Sequence, residues 1–379
     1  MTGRDPHEPH RVSTPLELFF DLTFVVAVSA NAAGLHHDLA HGNMLGLLNY
    51  TMVFFAIWLA WASYTWFASA YDPKDATFRL MTFLIMAGVL VLAAGVPRAE
   101  AAQDYRVIVI GYLMMRLAMI PLWLRVARED PAHRRGARFY ALGIAVVQVL
   151  WILRLWLPAG APAQLGFLLL ALVELYLPLY AQRFGLKPWP WHPHHMVERY
   201  ALFTIIGLGE VLLATTQGIS AVLDSKGLSA DLFMLIVGGF LIVLSAWWYY
   251  FKMELGDLLT PGTWDVFNLA HFLIFASVAA LGAGLGTMVD MVQHEAHLSV
   301  TNANLTLGSI MAVYLLSLNF LYGWFGLPLV RVFTGVGVAV LLLLIGALGL
   351  APGLTTLLYG LVMVAAVAHH QWITPHGHA

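Results

Sequence analysis

The chain has 379 residues, of which 60% are hydrophobic and only 11% charged, with a mean hydropathy of +0.77. Soluble globular domains carry about 25% charged residues, so this composition excludes an ordinary soluble fold and indicates an all-α polytopic membrane protein. A net charge of −2 offers no basic field for nucleic acid, and the absence of cysteine removes disulfides, thiolate metal sites and cysteine nucleophiles together.

Residues 1–15 are polar and lack the basic, apolar, small-residue order of a cleavable signal, so they are expected to form a tail before a retained first helix. Each membrane span needs about 20 residues to cross roughly 30 Å of hydrocarbon. Apolar runs then predict twelve spans, at 16–35, 45–70, 79–97, 105–126, 138–157, 163–183, 197–219, 231–251, 265–289, 303–324, 329–350 and 353–371. The first span places Glu17 and Asp21 four residues apart, hence on one helical face, inside otherwise apolar sequence. A charged group costs roughly 2.5–3.5 kcal/mol to insert at a helix centre, so such residues face a partner, a cavity or a transport path. A structural reading fixes Asp21 with Arg116 or Arg154 and leaves Glu17 capped and solvated; a functional one makes Asp21 a proton or cation site with Glu17 at its inner mouth.

Arg116 and Glu174 fall in the fourth and sixth spans and Arg154 in the fifth, and these three read as structural ion-pair candidates. The stretch 185–196, with Pro188, Trp189, Pro190, Trp191 and Pro193, reads as a linker. His194, His195, Glu198 and Arg199 then open the seventh span, and Glu210 stands mid-span behind Gly207 and Gly209. Those glycines would let another helix approach closely or let the backbone open around an ion. His271 in the ninth span is the expected partner of Glu210, a pair that could relay protons. Gly282, Gly284 and Gly286 read as helix packing, since no strand precedes them to make a phosphate loop.

Histidine concentrates in two loops of the same side. His36, His37 and His41 lie near Asp38 after the first span, and His294 and His297 flank Glu295 after the ninth. Imidazole and carboxylate together could hold a divalent metal at an outer mouth, although no His-Glu-x-x-His helix is present. No other cofactor is expected.

Of the 19 Lys and Arg residues, 14 fall in the N-terminal tail or the even-numbered loops with their flanks, Arg199 counted among them, and only Arg98, Arg106 and Lys226 fall on the opposite side. Positive charge favours the cytoplasm, so both termini are expected there and the number of spans is expected to be even. Aromatic clusters at Trp58–Phe67 and at 244–251 occupy matching places in the second and eighth spans, while Glu17 and Glu198 each open a half. An aromatic belt at the interface accounts for much of that aromatic placement, yet a duplication accounts for the order. The expected domains are the tail 1–15, a six-helix repeat 16–184, the linker 185–196, a second repeat of the same orientation 197–371, and a tail 372–379.

The segment Leu16-Glu17-Leu18-Phe19-Phe20-Asp21-Leu22-Thr23-Phe24-Val25, followed by Glu198-Arg199-Tyr200 and, further on, Gly209-Glu210, resembles the bacterial low temperature requirement protein A (LtrA) family. Thr23 stands where Val is usual, and Val211 where a small polar residue is frequent. The resemblance implies a multi-pass protein of the bacterial inner membrane whose family name records growth in the cold and specifies no substrate. Phe20-Asp21 also has a distant similarity to the Phe-Ser-Asp signature of the lysosomal potassium channel family, with Phe20 in place of the Ser.

Intramembrane acids in a duplicated bundle favour a secondary transporter, proton-coupled, for an ion or small solute. The expected site residues are Glu17, Asp21, Glu198, Glu210 and His271. The alternatives are a proton or monovalent-cation channel, an intramembrane enzyme without any serine-elbow or zinc-protease motif, and a non-transporting envelope or stress factor.

Overall fold

The computed structural model describes residues 1–6, 8, 11–252, 255–256, 258–260, 262–326 and 329–372, with the side chains of 225, 226, 329–331 and 370–372 excepted. The expected C-terminal tail beyond residue 372 lies outside the described residues. The side chains of Lys226 and Arg331 do so as well. Among the described residues the chain forms twelve α-helices: α1 (Pro15–Ala40), α2 (Gly46–Ala70), α3 (Ala76–Ala102), α4 (Arg106–Glu129), α5 (Arg134–Arg154), α6 (Ala161–Gln182), α7 (Pro193–Lys226), α8 (Ala230–Phe251), α9 (Trp264–Gln293), α10 (Val300–Trp324), α11 (Leu329–Ala347) and α12 (Pro352–Trp372). Eleven are long and apolar enough to cross a membrane; α11 contributes only the shorter apolar stretch Val332–Ala347.

Helix starts follow local chemistry. Thr14 and Glu17 form a capping box at α1: the Thr14 amide and hydroxyl each donate to Glu17 Oε2 at 2.9 Å, and the Glu17 amide donates to Thr14 Oγ1 at 3.3 Å. Pro15 occupies the first helical position, where its missing N–H is no loss. Helix α7 begins in the same manner. His192 Nδ1 accepts the His195 amide at 3.2 Å and Pro193 follows it, so the helix starts inside the stretch expected to be linker. The side chains of Asp75, Ser229 and Ser299 cap α3, α8 and α10.

The chain divides into two compact units: Met1–Asn31 with Asn49–Tyr200, and Ala32–Leu48 with Ala201–Ala379. In the first, α3 and α4 pack backbone to backbone. A Cβ on Gly111 would meet the Leu92 amide nitrogen at 2.4 Å and the Gly88 carbonyl at 2.5 Å. The N-terminal segment and the α2–α3, α4–α5 and α6–α7 connections gather at one end of this unit. The Arg4 amide donates to Ala70 O at 3.0 Å, Arg4 pairs with Asp72 at 3.1 Å, His133 Nε2 meets Pro188 O at 2.9 Å, and the His192 amide donates to Ser69 Oγ at 3.0 Å. Asp130 anchors this end: its carboxylate accepts Tyr71 Oη at 3.0 Å, His133 Nδ1 at 2.8 Å and the Ala132 amide at 3.0 Å. Burial alone would raise the Asp130 pKa, but these donors outweigh it and hold the group below the ordinary carboxylate value.

In the second unit α8 lies against α12, where a Cβ on Gly238 would strike the Thr356–Leu357 backbone at 2.4 Å. Helix α10 packs on α9 and α11. Buried tyrosines tie the layers: Tyr249 Oη donates to Asn319 Oδ1 at 3.0 Å, Tyr314 Oη to Ala246 O at 2.7 Å, and Tyr359 Oη to Asn304 O at 2.9 Å.

Candidate functional site

Two pairs of residues at spacing four face one another in the first unit, Glu17 and Asp21 on α1 and His195 and Arg199 on the first turns of α7. Arg199 binds both acids: Nη1 donates to Glu17 Oε1 at 2.9 Å, Nε to Asp21 Oδ2 at 3.1 Å, and Nη2 to Asp21 Oδ1 at 2.5 Å. Trp61 Nε1 donates to Asp21 Oδ1 at 2.7 Å, so both Asp21 oxygens are engaged. His195 Nε2 lies 3.2 Å from Glu17 Oε1 without hydrogen-bond alignment, and neither ring nitrogen has a hydrogen-bond partner among the described residues. Asp21, Arg199 and His195 are 0% exposed and Glu17 is 3% exposed.

Aromatic rings enclose the cluster. Phe20 stacks on Tyr64 at 4.0 Å, Trp61 meets Tyr200 edge-on at 4.8 Å, and Trp66 Nε1 donates to the Tyr200 hydroxyl at 3.1 Å. The aromatics of α2 are expected in an interfacial belt, but Trp58, Trp61, Tyr64 and Phe67 are buried, and of these Trp61 and Tyr64 stand against the cluster. Two further expectations are corrected. Asp21 is held by Arg199, not by Arg116 or Arg154, and Arg199 is a core residue, not one of the loop charges. Glu17 is capped as expected but is buried, not solvated. The missed signal was the spacing: His195 and Arg199 repeat the four-residue separation of the acids and so project from one face of α7. Glu198, on another face, is partly exposed and accepts the Ser13 amide at 3.3 Å.

Within the cluster two carboxylates face one guanidinium, while the buried Arg11, whose Nη2 donates to Ala68 O at 2.8 Å, lies outside it but within electrostatic reach of Glu17 and His195. A second buried cluster in the same unit is balanced. Arg116 Nη2 pairs with Glu174 Oε2 at 2.6 Å and its Nη1 donates to Ser63 Oγ at 2.7 Å. Gln148 and Trp151 donate to Glu174 Oε1 at 3.1 and 3.2 Å. This set ties α2, α4, α5 and α6 with one charge of each sign. Arg154, expected in an ion pair, has no carboxylate partner among the described residues. Its Nε donates to Ala163 O at 3.0 Å, and its guanidinium lies 5.4–5.7 Å from the ring centres of Tyr105, Trp151 and Phe167.

The remaining candidates lie in the second unit. Glu210 is half-buried on an unbroken α7. Gly209 faces open space and Gly207 makes only an ordinary contact with Val278, so neither glycine admits a close helix or opens the backbone. His271 is buried with both ring nitrogens taken, Nδ1 at 2.8 Å from Phe267 O and Nε2 at 3.0 Å from Tyr250 Oη. Tyr250 thus stands where Glu210 was expected. The two histidine-bearing loops do meet. His36 Nε2 lies 2.7 Å from Asp290 Oδ2, the His41 ring lies tilted at 4.3 Å from His37 and 5.7 Å from His297, and the His297 amide donates to Ala40 O at 2.7 Å. His294 takes a left-handed conformation, φ 62°, to end α9. No group of three or more His, Asp or Glu residues positioned to hold a metal ion occurs among the described residues.

Residues 12–370 match the family model described as bacterial low temperature requirement A protein (LtrA). The chain belongs to this family. The match runs from the cluster's N-terminal approach through α12, so all four cluster residues are family-covered positions of an LtrA protein. A Rhizobium meliloti (strain 1021) protein described as uncharacterized is 28% identical over 250 residues, which cover 62% of this chain and 57% of that relative's length. The chain therefore spans little more than half of the curated relative it matches. No solved structure matches.

Proposed function

We propose that this LtrA protein is a proton-coupled secondary transporter of the bacterial inner membrane, with both termini cytoplasmic, and that the Glu17–Asp21–Arg199–His195 cluster carries the coupling proton. The charge count supports this reading. A buried ion cluster is tolerable when its charges cancel, and an unpaired charge in low dielectric drives neutralisation by proton uptake. One proton, placed between the His195 imidazole and Glu17, balances the two acids against Arg199 by direct contact, where Arg11 acts only through space, whereas the Arg116–Glu174 pair is balanced by contact already. Histidine is the side chain whose unperturbed titration lies nearest neutral pH.

The closed packing around Asp21 fits a carrier, which exposes its site only when the conformation changes. A cation channel would need a hydrated path past that carboxylate, whose oxygens are instead occupied by Trp61 and Arg199. The like starts of α1 and α7, each with a side-chain cap followed by proline, support two repeats of the same orientation as the framework of the carrier.

The test is a pH jump applied to proteoliposomes adsorbed on a solid-supported membrane. Wild-type protein should give a transient charge movement that Glu17→Gln abolishes and Glu210→Gln retains. Equal currents in wild type and Glu17→Gln would remove the cluster from the coupling path. Unitary current steps in planar bilayers would replace the carrier by a channel.

A further inference from the structure

The end of the first unit that gathers the N-terminal segment carries two kinds of cation. Arg4 pairs with Glu8 and Asp72, and Arg125 pairs with Asp75 and Glu129. Arg135 and Arg138 on α5 and Arg183 at the end of α6 are exposed, and among the described residues none of the three has a carboxylate partner. The three share one patch. A Cβ on Gly136 would meet Ala181 O at 2.7 Å, so α5 and α6 approach closely here, and Phe139 of α5 lies 4.7 Å from Phe184 and 5.7 Å from Tyr180. The Arg183 guanidinium lies 5.6 Å from the Tyr180 ring centre.

The helix itself gains nothing from these charges. Like charges one turn apart repel, and cations at the start of a helix oppose its dipole, so Arg135 and Arg138 destabilise α5 where they stand. Arg135, Arg138, Leu142, Val146, Val149 and Leu153 recur at spacings of three and four and are all exposed, so the two arginines head one outward stripe that is otherwise apolar. On α6, Tyr180, Tyr176, Val173 and Leu169 form a second exposed stripe that leads away from Arg183. Guanidinium forks bind phosphate oxygens, and basic clusters between helices at the membrane edge are where phosphate headgroups are held. A soluble anion would use the arginines alone, whereas a molecule with an anionic head and hydrocarbon tails uses the arginines and both stripes.

We propose that the α5–α6 face is a binding site for an anionic phospholipid, with the phosphodiester on Arg135, Arg138 and Arg183 and the acyl chains along the two apolar stripes. The Phe139, Phe184 and Tyr180 rings stand at the level of the glycerol, the interfacial depth that aromatic side chains favour. Arg125, already paired with two acids, takes no part. Glu17, Asp21, Arg199 and His195 take none either, so the proposal stands or falls independently of the transport reading.

The experiment is native mass spectrometry of the full-length protein released from detergent micelles that carry equal amounts of phosphatidylglycerol and phosphatidylcholine with the same acyl chains. Wild type should retain phosphatidylglycerol over phosphatidylcholine by about tenfold to a hundredfold, the value of two or three cations at about fivefold each. Arg135→Gln, Arg138→Gln and Arg183→Gln should each weaken that retention about fivefold. Arg125→Gln lowers the net charge equally and should leave it unchanged. Substitutions at exposed positions change stability little, and the comparison of the two lipids in wild type needs no variant at all. Equal retention of the two lipids by wild type would overturn the proposal. A loss in Arg125→Gln as large as that in Arg138→Gln would assign the preference to diffuse charge and overturn the site. Displacement of phosphatidylglycerol by an equal concentration of glycerol 3-phosphate would assign the arginines to a soluble phosphate and overturn the lipid assignment.

Discussion

Removing Arg199 and removing Glu17 should have opposite electrostatic consequences, though both break the same hydrogen bond. Arg199→Gln leaves two acids without the guanidinium that contacts both and strips Asp21 of both guanidinium bonds, leaving it only the Trp61 indole. Breaking a buried ion pair by deleting one partner destabilises by about 3–5 kcal/mol, a large part of a total stability of about 5–15 kcal/mol. Glu17→Gln instead leaves one acid against one guanidinium and keeps the capping box, since glutamine also serves at that position, so its cost should be about 1 kcal/mol. The two effects are coupled. Introducing Arg199→Gln into a Glu17→Gln, Asp21→Asn background, where no carboxylate remains to be orphaned, should cost about 0.5–3 kcal/mol less than in wild type. Denaturant unfolding in detergent, followed by tryptophan fluorescence, suits a chain with 13 tryptophans and no cysteine for thiol dyes. Equal destabilisation by Arg199→Gln and Glu17→Gln, or an undiminished Arg199→Gln effect in the neutralised background, would refute the charge count.

Glu174→Gln should destabilise by about 3–5 kcal/mol by orphaning Arg116, while replacing both partners with apolar residues of similar volume, Arg116→Met with Glu174→Leu, should recover most of that loss in the same unfolding assay. Gly111→Val should cost at least the roughly 1–3 kcal/mol of core overpacking, measured as a lower unfolding midpoint, because α3 backbone already occupies the space a side chain needs. Asp130 has a depressed pKa in the folded protein, so its contribution is present above the unfolded carboxylate value of about 3.9 and is lost as pH falls through the lower folded value. Asp130→Asn should therefore flatten the acid limb of the stability-against-pH curve; an unchanged limb would show that Asp130 is not its source.

Helix positions were legible because hydrocarbon demands long apolar runs, and eleven of the twelve helices meet that demand by length and composition. The extension of α7 back to Pro193 was not, because proline reads both as a linker residue and as a first helical residue. The capping function of Glu17 was present in Thr14-Pro15-Leu16-Glu17, but a capping box gives no hint that its glutamate is buried. Which arginine answers Asp21 could not be read from composition. Arg116, Arg154 and Arg199 all lie in or beside apolar helices, and only packing assigns one to the two acids, one to Glu174 and one to a ring of aromatics.

The most direct test of the central claim is the protonation of His195, read from ¹⁵N-histidine NMR of the protein in nanodiscs, its signal among the 16 histidines assigned by difference against His195→Gln. In wild type the imidazole should take up a second proton as the pH falls, and in Glu17→Gln, where its carboxylate neighbour is gone, it should do so only at a lower pH. A ring that stays neutral in both proteins, or titrates alike in both, would contradict a coupling proton held by this cluster.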